Sequence, residues 1–235
     1  MSVLPQLIRV KGMALDLLFP RRCVGCGKEG DFICYSCRRS LPRIMPPLCP
    51  RCGKPQPSGM LCSSCVGWQS EIDGIRSPFQ FDGVMRQTIY QLKYKNLRAL
   101  AASLAELLCD YLSINPVPGE VLVPVPLHRK RLRERGYNQS SLLARELGRL
   151  IDLPVADDCL VRQRYALPQT RASIVDERRS NVADAFTCSD HNLRGRQVLL
   201  IDDVSTSGAT LDACAAALKA AGVDSVWGLV LAREV

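Results

Sequence analysis

Eight of the twelve cysteines in this chain fall in four CxxC knuckles: Cys23/Cys26, Cys34/Cys37, Cys49/Cys52 and Cys62/Cys65. Two-residue spacing lets both sulfurs of a knuckle turn toward one metal, and two knuckles complete a tetrahedral four-thiolate shell. Residues 21–68 are dense in Cys, Gly, Pro and Arg, and the run MPPLCPRCGKPQPSG is no helix interior. A segment of this kind is expected to fold around zinc, with Gly25, Gly27 and Gly53 supplying backbone freedom beside the knuckles. A redox-active CxxC is normally single and opens a helix, so four repeats argue against it. A disulfide framework belongs to exported chains, and nothing here marks export. The loops inside successive knuckle pairs hold only seven and nine residues. Consecutive pairing is therefore favoured, giving two short ribbons; interleaved pairing into a cross-braced module is the alternative. Cys109, Cys159, Cys188 and Cys214 are unpaired in sequence and read as small buried side chains.

The 235 residues suffice for one α/β domain plus a small appendage. Residues 1–20 carry Leu4, Leu7, Ile8, Leu15 and Leu18 at helical spacing, interrupted by Arg9, Lys11 and Asp16. This lead reads as a docking helix, since a signal peptide needs an unbroken apolar core. No apolar run approaches the ~20 residues of a membrane helix, so no membrane insertion and a cytoplasmic location are expected. Residues 1–70 hold ten Lys/Arg against three Asp/Glu, so most of the net +8 sits beside the cysteines. Each loaded four-thiolate zinc centre carries −2, which would bring the whole chain to about +4. Net charge is thus a weak warrant for nucleic-acid binding, as is the 6% aromatic content.

From residue 71 the pattern becomes that of an ordinary globular domain, expected to span 71–235. IDGIRSPFQFDG reads as a short strand pair. The helical spacing of VMRQTIYQLKYKNLRALAASLAELLCDYL predicts one or two helices with a break near Asn96. VLVPVP (121–126) has the look of a buried parallel strand, and 138–150 is an amphipathic helix. Residues 154–163 have room for another strand, and the polar, Arg-rich 164–183 for a loop or hairpin. VLLIDDV, a short turn, LDACAAALKAAG and SVWGLVLAR give strand, helix, strand. Such alternation implies a parallel sheet flanked by helices, whose ligands gather at the carboxyl ends of the strands.

The densest chemistry lies in VLLIDDVSTSGAT, residues 198–210. An apolar strand ends in Asp202 and Asp203, a hydroxyl-rich loop follows, and a helix starts. Successive amides of Thr206 to Thr210 with the helix N-terminus make an anion-binding concavity. Gly208 and Ala209 are expected to let a phosphate approach the backbone, and Ser205, Thr206, Ser207 and Thr210 add hydroxyl donors. Two acids ahead of a phosphate cradle are placed to accept from a ribose diol. The loop is neither a Walker A nor a GxGxxG motif. A Mg²⁺-binding acid pair would leave the hydroxyls unexplained; the plainest alternative is a strand–helix turn capped by Ser and Thr.

This segment resembles the thirteen-residue signature of type I phosphoribosyltransferases, which bind 5-phosphoribosyl-1-pyrophosphate (PRPP). VPVPLHRKRLRERGYNQSSLLARELG, the Cys-rich head and FDGVMRQTIYQLKYK further resemble the ComF family of amidophosphoribosyltransferase-like competence proteins, from about Cys23 to Ala232. The resemblance implies a type I phosphoribosyltransferase-like α/β fold behind a double zinc ribbon. It implies that Asp202 and Asp203 hold ribose hydroxyls and that Ser205 to Thr210 hold the 5′-phosphate. It places a pyrophosphate loop at Leu127, His128 and Arg129, with the family signature Arg133, Arg135, Gly136, Tyr137, Asn138 and Gln139 beside it. Gln169, Thr170, Arg171, Arg178, Arg179 and Asn181 fall in the stretch that forms a hood over the site. Guanidinium forks suit so anionic a ligand, although the same charges also suit a solvated loop.

Two functions follow as expectations. One is transfer of phosphoribose with Mg²⁺ and release of pyrophosphate, the arginines stabilising the leaving group. No residue stands out as general base, and no cysteine follows Met1 to indicate glutamine amidotransferase activity. The other is a non-catalytic PRPP-fold protein of DNA uptake that meets single-stranded DNA or a helicase.

Overall fold

The computed structural model describes residues 20–163 and 185–235. The expected docking helix and the residues assigned to the hood, Gln169, Thr170, Arg171, Arg178, Arg179 and Asn181, lie outside the described residues.

The architecture is a parallel sheet with helices on both faces. Strands β1 (Gly74–Arg76), β2 (Phe79–Gln80), β3 (Val121–Pro124), β6 (Gln197–Ser205) and β7 (Ser225–Arg233) lie in the order β1-β7-β6-β3, with β2 also on β7. All pairings in this sheet are parallel. β4 (Leu160–Arg162) and β5 (Phe186–Cys188) form a separate antiparallel pair. The helices are α1 (Tyr35–Arg39), α2 (Gly83–Tyr94), α3 (Leu100–Ile114), α4 (Arg129–Arg135), α5 (Gln139–Ile151) and α6 (Ala209–Ala220).

Period-two alternation sorts the central strands between two cores. Leu199, Ile201, Leu229 and Leu231 face α2, α3 and α5, whereas Val198, Leu200, Val226 and Val230 face α6. Both faces are dry, which is why these strands read as continuous apolar runs. The helical stretch before β3 breaks where expected: Asn96 takes a positive φ of 55° between α2 and α3.

One expectation fails. The segments 74–76 and 79–80 are not paired with each other; both run alongside β7, opposite Trp227–Leu229 and Ala232–Arg233. Pro78 has no N–H to give a ladder, and the buried Ser77 hydroxyl bonds the carbonyls of Phe79 and Leu231 instead, so one edge strand jogs into two.

The Cys-rich segment covers that edge. Ile75 donates its amide to the Arg51 carbonyl, and Ile44 to that of Pro78, so strand groups that would otherwise face water are paired. The two ribbons repeat one design. In each, the first cysteine's amide bonds a lysine carbonyl five residues on (Cys23 to Lys28, Cys49 to Lys54, both 2.8 Å), and a glycine turns back with φ of 76° or 70°. The two halves separate at the sheet edge. Cys23, Cys34 and Cys37 join the core under α2 and α3, whereas Cys49, Cys52, Cys65 and Trp68 join the core under α6.

Candidate functional site

The cysteines resolve into two sets, Cys23/Cys26/Cys34/Cys37 and Cys49/Cys52/Cys62/Cys65, with the sulfurs of each set within 4.8 Å of one another. Pairing is therefore consecutive. Four thiolates about 2.3 Å from one zinc ion make a tetrahedron with edges of about 3.8 Å. The Cys26–Cys34 and Cys52–Cys62 sulfur separations are 3.5 and 3.7 Å. Backbone amides also point at the sulfurs, from Cys34 to Cys23 at 3.4 Å and from Cys62 to Cys49 at 3.5 Å. Burial alone would raise the Cys23 thiol, but the amides of Cys34, Cys26 and Gly25 bring it down to about 6. Cys49 is brought to about 6 in the same way by the amides of Cys52, Cys62 and Arg51. Both sets fit zinc, and each would hold it as a closed structural centre.

The second candidate centre is at the carboxyl end of β6. Asp202 and Asp203 are the sixth and seventh residues of that strand and make different contacts. The Asp202 carboxylate accepts from the Ser140 hydroxyl (2.8 Å) and from the Asp203 amide (2.9 Å). Asp203 is 2% exposed and pairs with the Lys93 ammonium at 2.8 Å. Desolvation, then the neighbouring Asp203 charge, pushes the Asp202 carboxyl up to about 7, against the opposing pull of Lys93 and Ser140. Burial would lower Lys93, but the carboxylates of Asp203 and Asp202 outweigh it and hold it above the ordinary lysine value. Asp203 is thus committed to Lys93, and Asp202 is the less buried member of the pair.

After Ser205 the chain turns through three residues into α6. The amides of Thr206, Ser207 and Gly208 donate to no acceptor among the described residues, and the buried Ser205 hydroxyl likewise has no partner there. Gly208 adopts φ 83° and caps the helix, so the turn has the handedness of an anion nest. This glycine also meets a packing demand. A Cβ on Gly208 would lie 2.9 Å from Ile75 Cδ1 and 3.4 Å from Trp68 Cη2. Its bare face makes room for Ile75 of β1 and for Trp68 at the end of the ribbon.

The residues of the RGYNQ signature are mostly fasteners. Gly136 ends α4 with φ 77°, and the buried Tyr137 hydroxyl donates to the Leu92 carbonyl at the end of α2. Asn138 donates to the Val125 carbonyl (3.0 Å) and caps α5 by accepting from Ser140 (3.1 Å). Gln139 accepts from Arg135. This corner seats the start of α5 so that Ser140 meets Asp202. His128 caps α4 through Nδ1, and Arg129 opens that helix, so the charge run 129–135 is a helix rather than a loop.

Two clefts flank this corner. One, of about 620 Å³, includes Leu127, Arg129, Gly136, Asn138 and Arg162 in its lining, so two of the three residues assigned to pyrophosphate face it and His128 does not. The other, of about 580 Å³, includes Lys93, Tyr94, Arg131, Arg135 and Tyr137. Arg133 is exposed on α4. Sequence reasoning missed Lys93, Ser140, Trp68 and Arg233. Lys93 and Ser140 lie in the quoted family segments FDGVMRQTIYQLKYK and VPVPLHRKRLRERGYNQSSLLARELG, and nothing there singled them out.

Comparison with known proteins agrees with this division. The family profile of a double zinc ribbon domain matches residues 14–66, and that of a phosphoribosyl transferase domain matches 134–234. The chain is 31% identical over 209 residues to competence protein ComFC of Bacillus subtilis (strain 168), covering 84% of each. It is 30% identical over 232 residues to competence protein F of Haemophilus influenzae, covering 91% of this chain and 98% of that one. DNA utilization protein YhgH of Escherichia coli (strain K12) is 29% identical over 209 residues, covering 86% and 91%. With two four-cysteine sites fitted to a zinc ribbon, a parallel sheet carrying a phosphoribosyltransferase domain, and relatives this similar over most of their length, the chain belongs to the ComF family.

Proposed function

We propose that the chain binds PRPP, or a related ribose phosphate, at the end of β6, and transfers its phosphoribosyl group to an acceptor within DNA uptake. The reading treats residues 21–68 as a zinc module and 71–235 as the catalytic domain. What carries it is the run from Asp202 to α6: a partly accessible carboxylate, then three consecutive unclaimed amides in a left-handed turn before a 12-residue helix. Asp202 would accept from the ribose diol, with Ser140 orienting it, and the amides of Thr206 to Thr210 would receive the 5′-phosphate. Leu127, His128 and Arg129 would border the pyrophosphate, and Arg135 and Arg129 would stabilise it as it leaves. Mg²⁺ would arrive as the PRPP chelate, since among the described residues the only clusters of three or more potential ligands are the two cysteine sets. Pyrophosphate release from PRPP, screened against bases and amines, tests transfer; silence across the panel, with PRPP still bound, would leave a binding protein.

Asp202→Asn separates ligand recognition from stability. The folded value of about 7 lies above the ordinary aspartate value of about 3.9. The native state therefore holds the proton longer than the unfolded chain, and stability falls as pH rises between those values. The variant should be more stable than the parent at pH 8, by on the order of 4 kcal/mol, and match it near pH 4. Its affinity for PRPP should fall. Thermal unfolding at both pH values, with titration of PRPP, reads both effects.

A second reading draws on one surface. The exposed rings of Tyr90 and Tyr94 lie 5.0 Å apart, with the Arg135 guanidinium 5.5 Å from the Tyr94 ring centre. Arg98 stacks over Tyr137 at 4.5 Å. Aromatics amid cations suit the bases and phosphates of single-stranded DNA, in keeping with relatives named for competence and DNA utilization. A mobility-shift titration across salt concentrations tests this, and a helicase partner would be sought by the same surface.

A further inference from the structure

We propose that the second zinc centre is the foundation on which the phosphate loop is built, and that Arg233 is the positioning residue joining them. The inference rests on the reading of residues 206–210 as a phosphate loop. Arg233 is 1% exposed and lies opposite Ser205 in the β6–β7 ladder. Its guanidinium forks: one nitrogen donates to the Cys52 carbonyl, inside a zinc knuckle, and the other to the Thr206 carbonyl at 3.1 Å, inside the loop. No carboxylate among the described residues lies within ion-pair distance of it. A buried guanidinium without a counter-charge is strongly disfavoured. The thiolates of Cys49, Cys52, Cys62 and Cys65 supply one, and around Zn²⁺ they retain a net charge of −2. Arg233 is therefore the charge partner of the second centre, and by holding Thr206 it sets the direction of the amides that follow.

Two further contacts make the same connection. Trp68, three residues beyond Cys65, packs on Gly208 where the loop turns into α6. Asp212, in the first turn of α6, accepts from the amides of Glu71 and Ile72, which follow the ribbon directly, at 2.8 and 3.0 Å. The first centre makes no contact of this kind among the described residues. Its ribbon is fastened elsewhere, by Arg38 to Glu106 (3.3 Å) and Asp110 (2.6 Å) on α3. Two centres with the same ligand set thus have different tasks: the first holds the ribbon to the helices, and the second shapes the ligand loop.

The test compares Arg233→Met with Arg38→Met in the full chain, both checked to retain two zinc ions. Affinity for Mg²⁺–PRPP should fall about tenfold or more in Arg233→Met, as expected for a lost charge-assisted hydrogen bond. It should stay within about twofold in Arg38→Met even where the melting temperature drops as far. Arg233→Lys, which keeps the charge, should recover part of the loss. Unchanged affinity in Arg233→Met, or an equal loss in Arg38→Met, overturns the proposal. Should Arg233→Met fail to fold, Trp68→Leu reads the same connection: weakened binding supports it and unaltered binding refutes it. Should the parent bind no PRPP, the reading of the loop fails. Amide exchange at 206–210 still decides the coupling in that case, since faster exchange in Arg233→Met supports it and parental exchange sinks it.

Discussion

Removal of zinc by a strong chelator should abolish the cooperative unfolding transition of the native chain, not merely shift it. Structural zinc contributes on the order of 10 kcal/mol of apparent folding free energy per site, comparable to the whole stability of a domain. The ribbons have little to substitute for it: beyond the cysteines, their buried apolar side chains are Ile33, Leu41, Ile44 and Trp68. Without the metal nothing would tie the four sulfurs of each set together, Arg233 would lose its counter-charge, and the edge held by Arg51 and Ile75 would open. Metal analysis should give two zinc ions per chain, and calorimetric scans should show one transition with zinc and a broad, low one without it. A chain that releases both ions yet melts as before would contradict this account.

The second large effect belongs to Lys93. Lys93→Met should destabilise the protein by about 3–5 kcal/mol, because it strands the Asp203 carboxylate in the core. Lys93→Met combined with Asp203→Asn should recover most of the stability, since a neutral amide no longer needs the ammonium. Urea unfolding of the single and double variants measures this coupling. A single variant as stable as the parent would mean that Asp203 has another source of compensation. The pair also bears on the site: with Asp203 held by Lys93, Asp202 is the less buried of the two carboxylates.

What the sequence made legible is what physical chemistry encodes locally. Knuckle spacing identified all eight cysteines, and short inner loops favoured the consecutive pairing that the sulfur positions show. The apolar run into Asp202 and Asp203 fixed β6, and the Ser/Thr/Gly turn fixed the start of α6. What remained hidden depends on residues far apart in the chain. Lys93 meets Asp203 across 110 positions, and Arg233 meets Cys52 across 181. Neither pairing leaves a periodic trace, because a buried ion pair is specified by where helices and strands are placed after folding. The jog at Ser77–Pro78 was misread for a related reason: strand–turn–strand composition is the same whether two segments pair together or lie end to end along a third. Gly208 was read as leaving room for a phosphate, and its closeness to Ile75 and Trp68 left no local trace. The low aromatic content concealed the exposed pair Tyr90 and Tyr94, which meets Arg135 only when α2 and α4 come together.

The claim on which the functional account depends is that the main chain at 206–210 grips a sugar phosphate. The most direct measurement is the amide NMR spectrum of the zinc-loaded, ¹⁵N-labelled protein titrated with Mg²⁺–PRPP. The account predicts saturable shifts centred on Thr206, Ser207, Gly208, Ala209 and Thr210, with Asp202 and Ser140 following at the same ligand concentration. A folded, two-zinc protein whose loop amides stay in place at saturating PRPP would contradict it.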